Sequence, residues 1–211
     1  MPGKANKSYF LKRPIDFLSA LCLLLALTPI LAGISLIILI KEGRPIFFRQ
    51  TRIGKELRRF RMLKYRTMTV AVDNGDVPED VPLDVVKAQR LGFRTTEVND
   101  SRVTPVGAFL RSTSLDELPQ LWNVLTGDMS LIGPRPMTPV QRADFAVHEW
   151  QVRHAVRPGI TGLAQVRGRS ALTQEELVDY DKEYVQSCTL RQDIRIALLT
   201  LRIVLKRSGT N

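Results

Sequence analysis

Two adjacent acids, Asp116 and Glu117, are the residues of this sequence best suited to do chemistry. They lie in the run Ser-Leu-Asp-Glu-Leu-Pro-Gln at positions 114–120. Because proline is tolerated in the first turn of a helix, Pro119 predicts a helix start near the two acids, whose charges the helix dipole would stabilise. An ionised carboxylate can attack phosphorus while its neighbour holds a divalent cation. The spacing of Ser114 and Glu117 also fits an ordinary capping box, and the sequence alone leaves that alternative open.

Cationic side chains that suit phosphate occur in two further motifs. In Gly-Pro-Arg-Pro at 133–136, a proline on each side of Arg135 stiffens the backbone that carries its guanidinium, a rigid fork that can bind phosphate through two hydrogen bonds. In Lys-Tyr-Arg-Thr-Met at 64–68, Lys64 and Arg66 share one face of a predicted strand. Either motif alone is equally compatible with solvated charges or structural salt bridges. Together with the two acids and Mg²⁺, they supply the positioning and charge neutralisation that phosphoryl transfer needs.

The overall charge also predicts an anionic partner. The chain carries 31 Lys and Arg against 21 Asp and Glu, a net charge of +10 in 211 residues. Nucleic acid, anionic lipid headgroups and phosphorylated substrates are the three candidates. No zinc-finger spacing, aromatic RNA-binding motif or recognition-helix pattern favours nucleic acid. The two cysteines, Cys22 and Cys188, give neither a disulfide framework nor a metal-ligand pair.

An uncharged apolar run from Phe17 to Ile40 predicts a membrane segment. It exceeds the roughly 20 residues that a helix needs to cross a bilayer. Basic residues flank both ends, and because they resist export, a simple span would place one cluster on the unfavourable side. Near the middle lies Thr28-Pro29, where proline kinks or breaks a helix and the Thr28 hydroxyl can bond the backbone groups that are freed. A re-entrant helix that bends there and returns to the same face fits both observations, and a kinked spanning helix is the alternative.

The remaining pattern predicts a mostly helical α+β fold. Residues 46–70 alternate apolar and basic positions around a predicted turn at Ile53-Gly54-Lys55, which indicates a β-hairpin or two short strands. Helices are predicted at 83–91, at 106–125 with an interruption before Asp116, and at 140–152, 175–185 and 190–207. Residues 126–139 predict a loop, and residues 157–169 a loop that can include a strand. The last helix is basic and amphipathic, which suits either the membrane headgroup region or packing on a core.

The run LRSTSLDELPQLWNVLTGDMSLIGPRP at 110–136 resembles the signature of the monotopic phosphoglycosyl transferases, a family of bacterial sugar transferases. Other segments resemble the family's motifs in the same order and spacing, so the resemblance covers nearly the whole chain. These segments are KRPIDF at 12–17, the membrane Thr-Pro where the family usually has Ser-Pro, KYRTM at 64–68, DSRVTPVGAFLR at 100–111, RPGITGLAQVRGR at 157–169 and D-x-x-Y-V at 181–185.

The resemblance implies a two-step transfer of a sugar-1-phosphate from a UDP-sugar to polyprenyl (undecaprenyl) phosphate. It assigns Asp116 as the nucleophile that forms a covalent phosphosugar with release of UMP, and Glu117 as the acid associated with Mg²⁺. The polyprenyl phosphate then takes the phosphosugar from the enzyme. Thr28-Pro29 takes the place of the family's re-entrant bend. The other positions that match residues lining the family's site are Lys64, Arg111, Arg135 and Asp181.

Two departures from the family pattern bear on specificity and organisation. Arg167 stands where the family most often has an asparagine, so we include Arg167 among the candidate substrate-binding residues. If its loop contacts the nucleotide sugar, we expect a sugar preference different from that of relatives with asparagine. Residues 73–99 match no family motif and receive no role. With no additional membrane helices before the apolar run, we expect a small member that contains only the catalytic core. We divide it into a re-entrant membrane helix at 1–45 and a catalytic domain at 46–211.

The sequence therefore predicts an enzyme of the bacterial inner membrane, with its site on the cytoplasmic face, that begins the assembly of a surface polysaccharide or glycoconjugate. The expected partners are a UDP-sugar, polyprenyl phosphate and the bilayer, with Mg²⁺ as cofactor and no nucleic acid. The rival prediction is a non-catalytic, membrane-tethered basic protein that binds anionic lipid or nucleic acid. The sequence decides neither the sugar, nor the glycan pathway, nor the oligomeric state.

Overall fold

Eight helices and two small sheets make up the fold in a computed structural model that describes residues 9–69, 75–78, 81–93, 100–168 and 171–208, with side chains up to residue 204. The helices are α1 (Lys12–Glu42), α2 (Leu83–Gly92), α3 (Pro105–Thr113), α4 (Gln120–Thr126), α5 (Val147–Arg153), α6 (Leu163–Arg167), α7 (Gln174–Gln186) and α8 (Leu190–Ser208). The strands are β1 (Phe47–Ile53), β2 (Arg59–Tyr65), β3 (Ser130–Ile132) and β4 (Gly159–Thr161). Short 3₁₀ turns lie at Lys55–Leu57, Leu115–Glu117 and Pro139–Asp144. The predicted mostly helical α+β fold is confirmed.

The long helix α1 packs one stripe against the rest of the protein along its whole length. Near its start, the Nζ of Lys12 lies 2.6 Å from the Oδ2 of Asp193 in α8. Ala20 packs with the buried cluster around Val124 of α4. Near its end, Ile38 packs with Tyr65 of β2. The other faces of α1 expose most of its apolar residues, and by length and composition the helix could cross a membrane.

Helix α1 continues through Thr28-Pro29, with Pro29 inside it, so the helix is not interrupted there, and the predicted bend at these residues stays a prediction. The Thr28 hydroxyl donates a hydrogen bond of 2.8 Å to the carbonyl of Leu24. It does not reach the carbonyl of Leu25, the acceptor that loses its amide donor at Pro29. Residues of α1 on both sides of the proline contact the same protein body. Whether the helix re-enters the same face of a membrane stays a prediction.

The predicted hairpin forms, and its two strands have one face toward α4. Strands β1 and β2 are antiparallel, with Arg52 opposite Phe60 and Phe48 opposite Lys64. Since opposite residues in an antiparallel pair share a face, the even-numbered residues of both strands lie together. Asn123 of α4 joins this hairpin through its side-chain amide, which accepts from the Leu63 amide and donates to the Arg61 carbonyl, both at 2.9 Å.

The second sheet, β3 and β4, is a parallel pair in which the backbones come unusually close. A Cβ on Gly159 would lie 2.1 Å from the Gly133 amide nitrogen, and a Cβ on Gly162 would lie 2.1 Å from the Gly133 carbonyl oxygen. Only glycine fits such a backbone approach. This pair packs on α7 and α8 through the cluster that contains Ile132, Tyr184 and Ile196.

Two predicted helices are divided in the structure. The segment predicted as one helix at 140–152 forms the 3₁₀ turn Pro139–Asp144 and then α5, because Phe145 is extended and buries its ring beside Trp150, with ring centroids 5.3 Å apart. The segment at 106–125 forms α3, the turn Leu115–Glu117 and α4, so the predicted interruption is confirmed. Residues 157–169 form β4 and then α6 as far as they are described.

The predicted helices α2, α7 and α8 are confirmed, and α8 has an apolar face toward solvent. Its residues Leu190, Ile194, Leu198 and Leu201 are exposed, whereas Ile196 on the opposite side is buried. Helix α2 packs Val86 against Val140 and Val77. Parts of the 73–99 excursion lie outside the described residues, and what is described there gives no reason to assign it a role.

Candidate active site

The two candidate acids lie against cations from the hairpin and from the Gly-Pro-Arg-Pro loop. The Nζ of Lys64 donates a hydrogen bond of 2.8 Å to the Oε1 of Glu117 and lies 3.9 Å from the Oδ2 of Asp116. The Nη2 of Arg135 lies 3.8 Å from the same Glu117 oxygen. Asp116 is buried, while half of the Arg135 side chain is exposed. The structure therefore brings four of the predicted site residues together.

A sharp turn at Ser114, and not a helix start, presents the acids. Ser114 ends α3 in the left-handed conformation (φ 60°, ψ 16°), and its side chain makes no capping hydrogen bond. The capping-box alternative is therefore wrong for Ser114 and Glu117. The acids occupy the 3₁₀ turn Leu115–Glu117, and α4 begins only at Gln120, with Pro119 as its N-cap residue. The prediction that they lie in the first turn of a helix is wrong by this one turn.

Burial opposes the ionisation of Asp116, whereas the sequence predicted that a helix dipole would favour it. Removal from water raises the pKa of the Asp116 carboxyl above its ordinary value of 3.8. Lys64, Arg111 and Arg135 lower it, while the neighbouring Glu117 raises it further. Burial likewise lowers the pKa of Lys64, against the opposing effect of Glu117. The cations thus offset part of the cost of holding a buried carboxylate ionised.

The loop that carries Arg135 is held by hydrogen bonds to four successive carbonyls. The carbonyl oxygens of residues 134–137 accept, in order, from the Gly159 amide at 2.9 Å, the Arg153 Nη2 at 3.0 Å, the Arg52 Nη1 at 2.9 Å and the Ile53 amide at 2.9 Å. Proline was expected to fix this loop through its own ring. Partners from three separate chain segments add a restraint that the sequence does not reveal, so the guanidinium of Arg135 projects from a fixed backbone.

Asp181 lies behind this loop and not beside the two acids. It is buried and accepts hydrogen bonds from the Nε and Nη2 of Arg153 at 3.0 and 2.8 Å. Arg153 in turn donates to the Arg135 carbonyl. The structure therefore connects Asp181 to Arg135 through one intermediate, and its direct contact with substrate, which the resemblance implied, has no support in this geometry.

Arg111 and Arg66 take different places from the ones their motifs suggest. The Nε of Arg111 donates 2.9 Å to the hydroxyl of Thr67, which places Arg111 close enough to influence Asp116. Arg66, expected to share a face with Lys64, lies one residue past β2 and donates to the carbonyls of Glu42, Gly43 and Arg44. It thereby satisfies the free carbonyls at the end of α1.

The chain also places unpredicted residues in the cleft beside the acids. Lys64, Glu117 and Arg135 line it together with Arg52, Met62, Gln120, Pro136, Gly159 and Ile160. Arg52 is one of the basic residues that follow the apolar run, and none of the motifs described above includes it. The hairpin register would have revealed it, since Arg52, Met62 and Lys64 are even-numbered residues of one face. Arg167 is exposed at the end of α6 and is not among the residues that line the cleft.

The carboxylates fit a magnesium ion that is held mainly by substrate. Among the described residues no group of three or more His, Cys, Asp or Glu side chains could hold a metal ion. Mg²⁺ does not require such a cage, because it keeps several waters and binds one or two carboxylates together with phosphate oxygens. Asp116 and Glu117 provide those two carboxylates at one point of the chain.

Comparison with known proteins gives a consistent set of similarities. Residues 7–207 match the family described as bacterial sugar transferase. A UDP-galactose-lipid carrier transferase of Erwinia amylovora is 39% identical over 97% of this chain and 42% of its own length. The UDP-glucose:undecaprenyl-phosphate glucose-1-phosphate transferase of Escherichia coli K12 is 39% identical over 90% of this chain and 39% of its length.

A protein from Caulobacter vibrioides with the same name as the Escherichia coli enzyme is 40% identical over 90% of this chain and 68% of its own length. The chain thus spans about two fifths of the length of the first two relatives.

Proposed function

The chain belongs to the bacterial sugar transferase family, and from this premise we propose that it transfers a sugar-1-phosphate from a UDP-sugar to undecaprenyl phosphate. The names of its relatives specify UDP-glucose or UDP-galactose as donor and, in two cases, undecaprenyl phosphate as acceptor. The products are UMP and a polyprenyl-diphosphate-sugar. This reaction would begin the assembly of a surface polysaccharide or glycoconjugate.

The observation that carries the proposal is the electrostatic composition of the cleft. Lys64, Arg111 and Arg135 all lower the pKa of the buried Asp116, and among the described residues Glu117 is the acid that raises it. Such cations neutralise and position phosphate, which is the main work of phosphoryl transfer. A purely structural ion-pair network would pair its charges, whereas here the cations outnumber the carboxylates.

In the proposed mechanism Asp116 is the nucleophile. Its carboxylate oxygen attacks the phosphorus that bears the sugar, the bond from that phosphorus to the UMP oxygen breaks, and UMP leaves with the electron pair. An oxygen of the lipid phosphate then attacks the same phosphorus and releases the Asp116 carboxylate. Glu117, held by Lys64, serves to bind the cation and not to attack.

Glu117 would hold Mg²⁺ beside the reacting Asp116 in this proposal, and the ion would supply positive charge to the diphosphate. The cations of the protein have separate roles. Lys64 and Arg111 favour the ionised form of Asp116, and Arg135, on its fixed backbone, orients a phosphate through its two-pronged guanidinium.

We further propose that the protein lies on one face of a bacterial inner membrane, with its cleft toward the cytoplasm. The support is that both ends of α1 contact the same protein body, through Lys12 and Asp193 at one end and through Arg66 and Glu42 at the other. The exposed apolar side of α1 and the exposed leucines of α8 would then enter the lipid. The division of the chain into a membrane helix at 1–45 and a catalytic domain at 46–211 is part of this proposal.

A two-step assay tests the function. The purified chain, Mg²⁺ and each of UDP-glucose and UDP-galactose are incubated with undecaprenyl phosphate, and UMP release and labelled lipid are measured. Without the lipid, rapid quenching and mass spectrometry should find the phosphosugar on the peptide that contains Asp116. Asp116→Asn should abolish both adduct and UMP release, while Glu117→Gln should slow turnover and leave a trace of adduct. Substantial turnover by Asp116→Asn would refute the covalent mechanism.

The non-catalytic alternative makes the opposite prediction in the same assay. It requires tight binding to anionic vesicles and no UMP release from any UDP-sugar supplied with lipid acceptor.

A further inference from the structure

Arg52, a partly buried arginine of strand β1, lines the cleft, and one of its hydrogen-bond donors has no acceptor among the described residues. Its Nη1 donates to the carbonyl of Pro136 at 2.9 Å, and its Nη2 donates to the Oε1 of Gln50 at 2.5 Å. The Nε is buried and finds no acceptor among the described residues. Buried polar groups in proteins are almost always hydrogen-bonded, so an orphaned donor on a charged group calls for a missing acceptor.

The surroundings of Arg52 indicate what kind of acceptor is missing. Arg52 lines the cleft beside Lys64 and Arg135, so three cationic side chains border one small space. Burial and the repulsion from Arg135 lower the pKa of Arg52 to about 9, and Glu117 is the acid that opposes this effect. A cationic group placed close to another cation is stabilised by an anion that bridges the two.

The charge balance sets the expected charge of that anion. Three cations, Arg52, Lys64 and Arg135, line the cleft together with one acid, Glu117. The described residues that line the cleft therefore carry two more positive than negative charges. A ligand with about two negative charges and several acceptor oxygens would restore the balance, as the diphosphate of a nucleotide sugar does.

We propose that Arg52 is a further substrate-binding residue, whose Nε donates to an oxygen of the donor's diphosphate while its Nη1 holds the Pro136 carbonyl of the Arg135 loop. The inference rests on the proposed function for the identity of the donor. Arg52 would then have two roles. It holds the Pro136 carbonyl, one residue after Arg135, and it contacts the same anionic group that Arg135 orients.

Direct titration with inorganic pyrophosphate tests this role apart from catalysis. The full chain in detergent micelles is titrated by calorimetry at fixed ionic strength, in wild-type form and as Arg52→Gln. Loss of a hydrogen bond to a charged group should weaken pyrophosphate binding by roughly 10- to 100-fold. Arg61→Gln is the matched control, because Arg61 is an exposed cation of the same hairpin outside the cleft, and its affinity should stay within about threefold of wild type.

A second arm separates the diphosphate from the lipid phosphate. The same proteins are titrated with a short-chain prenyl phosphate, and Arg52→Gln should weaken this binding much less than it weakens pyrophosphate binding. An effect confined to the prenyl phosphate would overturn the assignment, as would equal losses for Arg52→Gln and Arg61→Gln.

The melting temperature of each variant shows whether weaker binding results from loss of the folded structure. If Arg52→Gln is not folded, Arg52→Lys replaces it, because lysine keeps the charge and can hold the Pro136 carbonyl but lacks the Nε donor. Arg52→Lys should bind pyrophosphate at least about threefold more weakly than wild type, and unchanged binding would refute the proposal. If wild type binds pyrophosphate through Arg52 but never releases UMP, the proposed function fails while this inference stands. If wild type releases UMP but binds no pyrophosphate, the proposed function stands and the inference about Arg52 fails.

Discussion

Lys64 and Glu117 form a hydrogen bond of 2.8 Å that joins strand β2 to the turn after α3. The two adjacent acids therefore have different surroundings. Glu117 is held by a cation at hydrogen-bond distance, whereas Asp116 lies 3.9 Å from the same Nζ and is more deeply buried. This asymmetry separates a carboxylate that can serve as an anchor from one that can react, and it is the basis of the first prediction.

Replacing Lys64 should move the acidic limb of the pH–rate profile. Lys64 lowers the pKa of Asp116, so Lys64→Met should raise that pKa, and the nucleophile should become protonated at a higher pH. The acidic limb of kcat/KM should therefore shift to higher pH, in addition to any loss of rate. Arg58→Met, which removes an exposed cation, should leave the limb in place. A limb that stays fixed or moves to lower pH in Lys64→Met would contradict the assignment of Asp116.

Removing the guanidinium of Arg135 should damage catalysis more than its exposure suggests. We expect Arg135→Ala to reduce kcat/KM for the UDP-sugar by roughly ten- to a hundredfold, because a charge-assisted contact contributes about 1.5–3 kcal/mol. Arg49→Ala, a change at an exposed arginine of β1, serves as the control and should change kcat/KM less than about threefold. Steady-state UMP release measures both, and equal effects would return Arg135 to a structural role.

The buried pair of Arg153 and Asp181 should matter mainly for stability. Asp181→Asn leaves the buried Arg153 charge without its partner, which costs about 3–5 kcal/mol in comparable pairs. The control is Glu149→Gln, which breaks the more exposed pair with Lys182 and should cost less than about 1 kcal/mol. Denaturant unfolding of both variants gives the comparison. A loss of activity in Asp181→Asn without a loss of stability would instead favour a direct role in the site.

The approach of α3 to the end of the hairpin depends on Gly107. A Cβ at this position would lie 2.2 Å from the carbonyl oxygen of Thr67, the residue that also holds Arg111. Gly107→Ala should therefore destabilise the protein by about 1–3 kcal/mol. Gly92→Ala, at the end of α2 with nothing within 4 Å of the added carbon, should be nearly neutral. The difference in melting temperature between the two variants checks the expectation.

Both ends of α1 should be on the cytoplasmic side of the membrane. In a Cys22→Ser background, which keeps only the buried Cys188, a cysteine is introduced at Phe10 or at Lys41, exposed positions before and near the end of the helix. An impermeant maleimide should label neither in intact cells and both after permeabilisation. A periplasmic protein with an exposed cysteine provides the positive control. Labelling of one site in intact cells would show that the helix spans the membrane.

Local sequence determined the groups available for chemistry and most of the elements that carry them. The apolar run, the hairpin around Gly54, and helices α2, α7 and α8 follow from composition and periodicity, which act over a few neighbouring residues. The acidic pair and the proline-flanked Arg135 are likewise evident from residue types, because phosphoryl chemistry requires anions and cations of these kinds.

Tertiary structure alone decided the conformation of Ser114, the position of Asp181 and the hydrogen bond between Arg52 and the Pro136 carbonyl. Ser114 adopts a left-handed conformation because α3 and α4 pack on different neighbours, and a local spacing rule cannot include that constraint. Asp181 is paired with Arg153 from a segment 28 residues away, and Arg52 with the carbonyl of Pro136 84 residues away. Such long-range partners are selected by burial and register in the folded chain, which residue types and spacing do not encode.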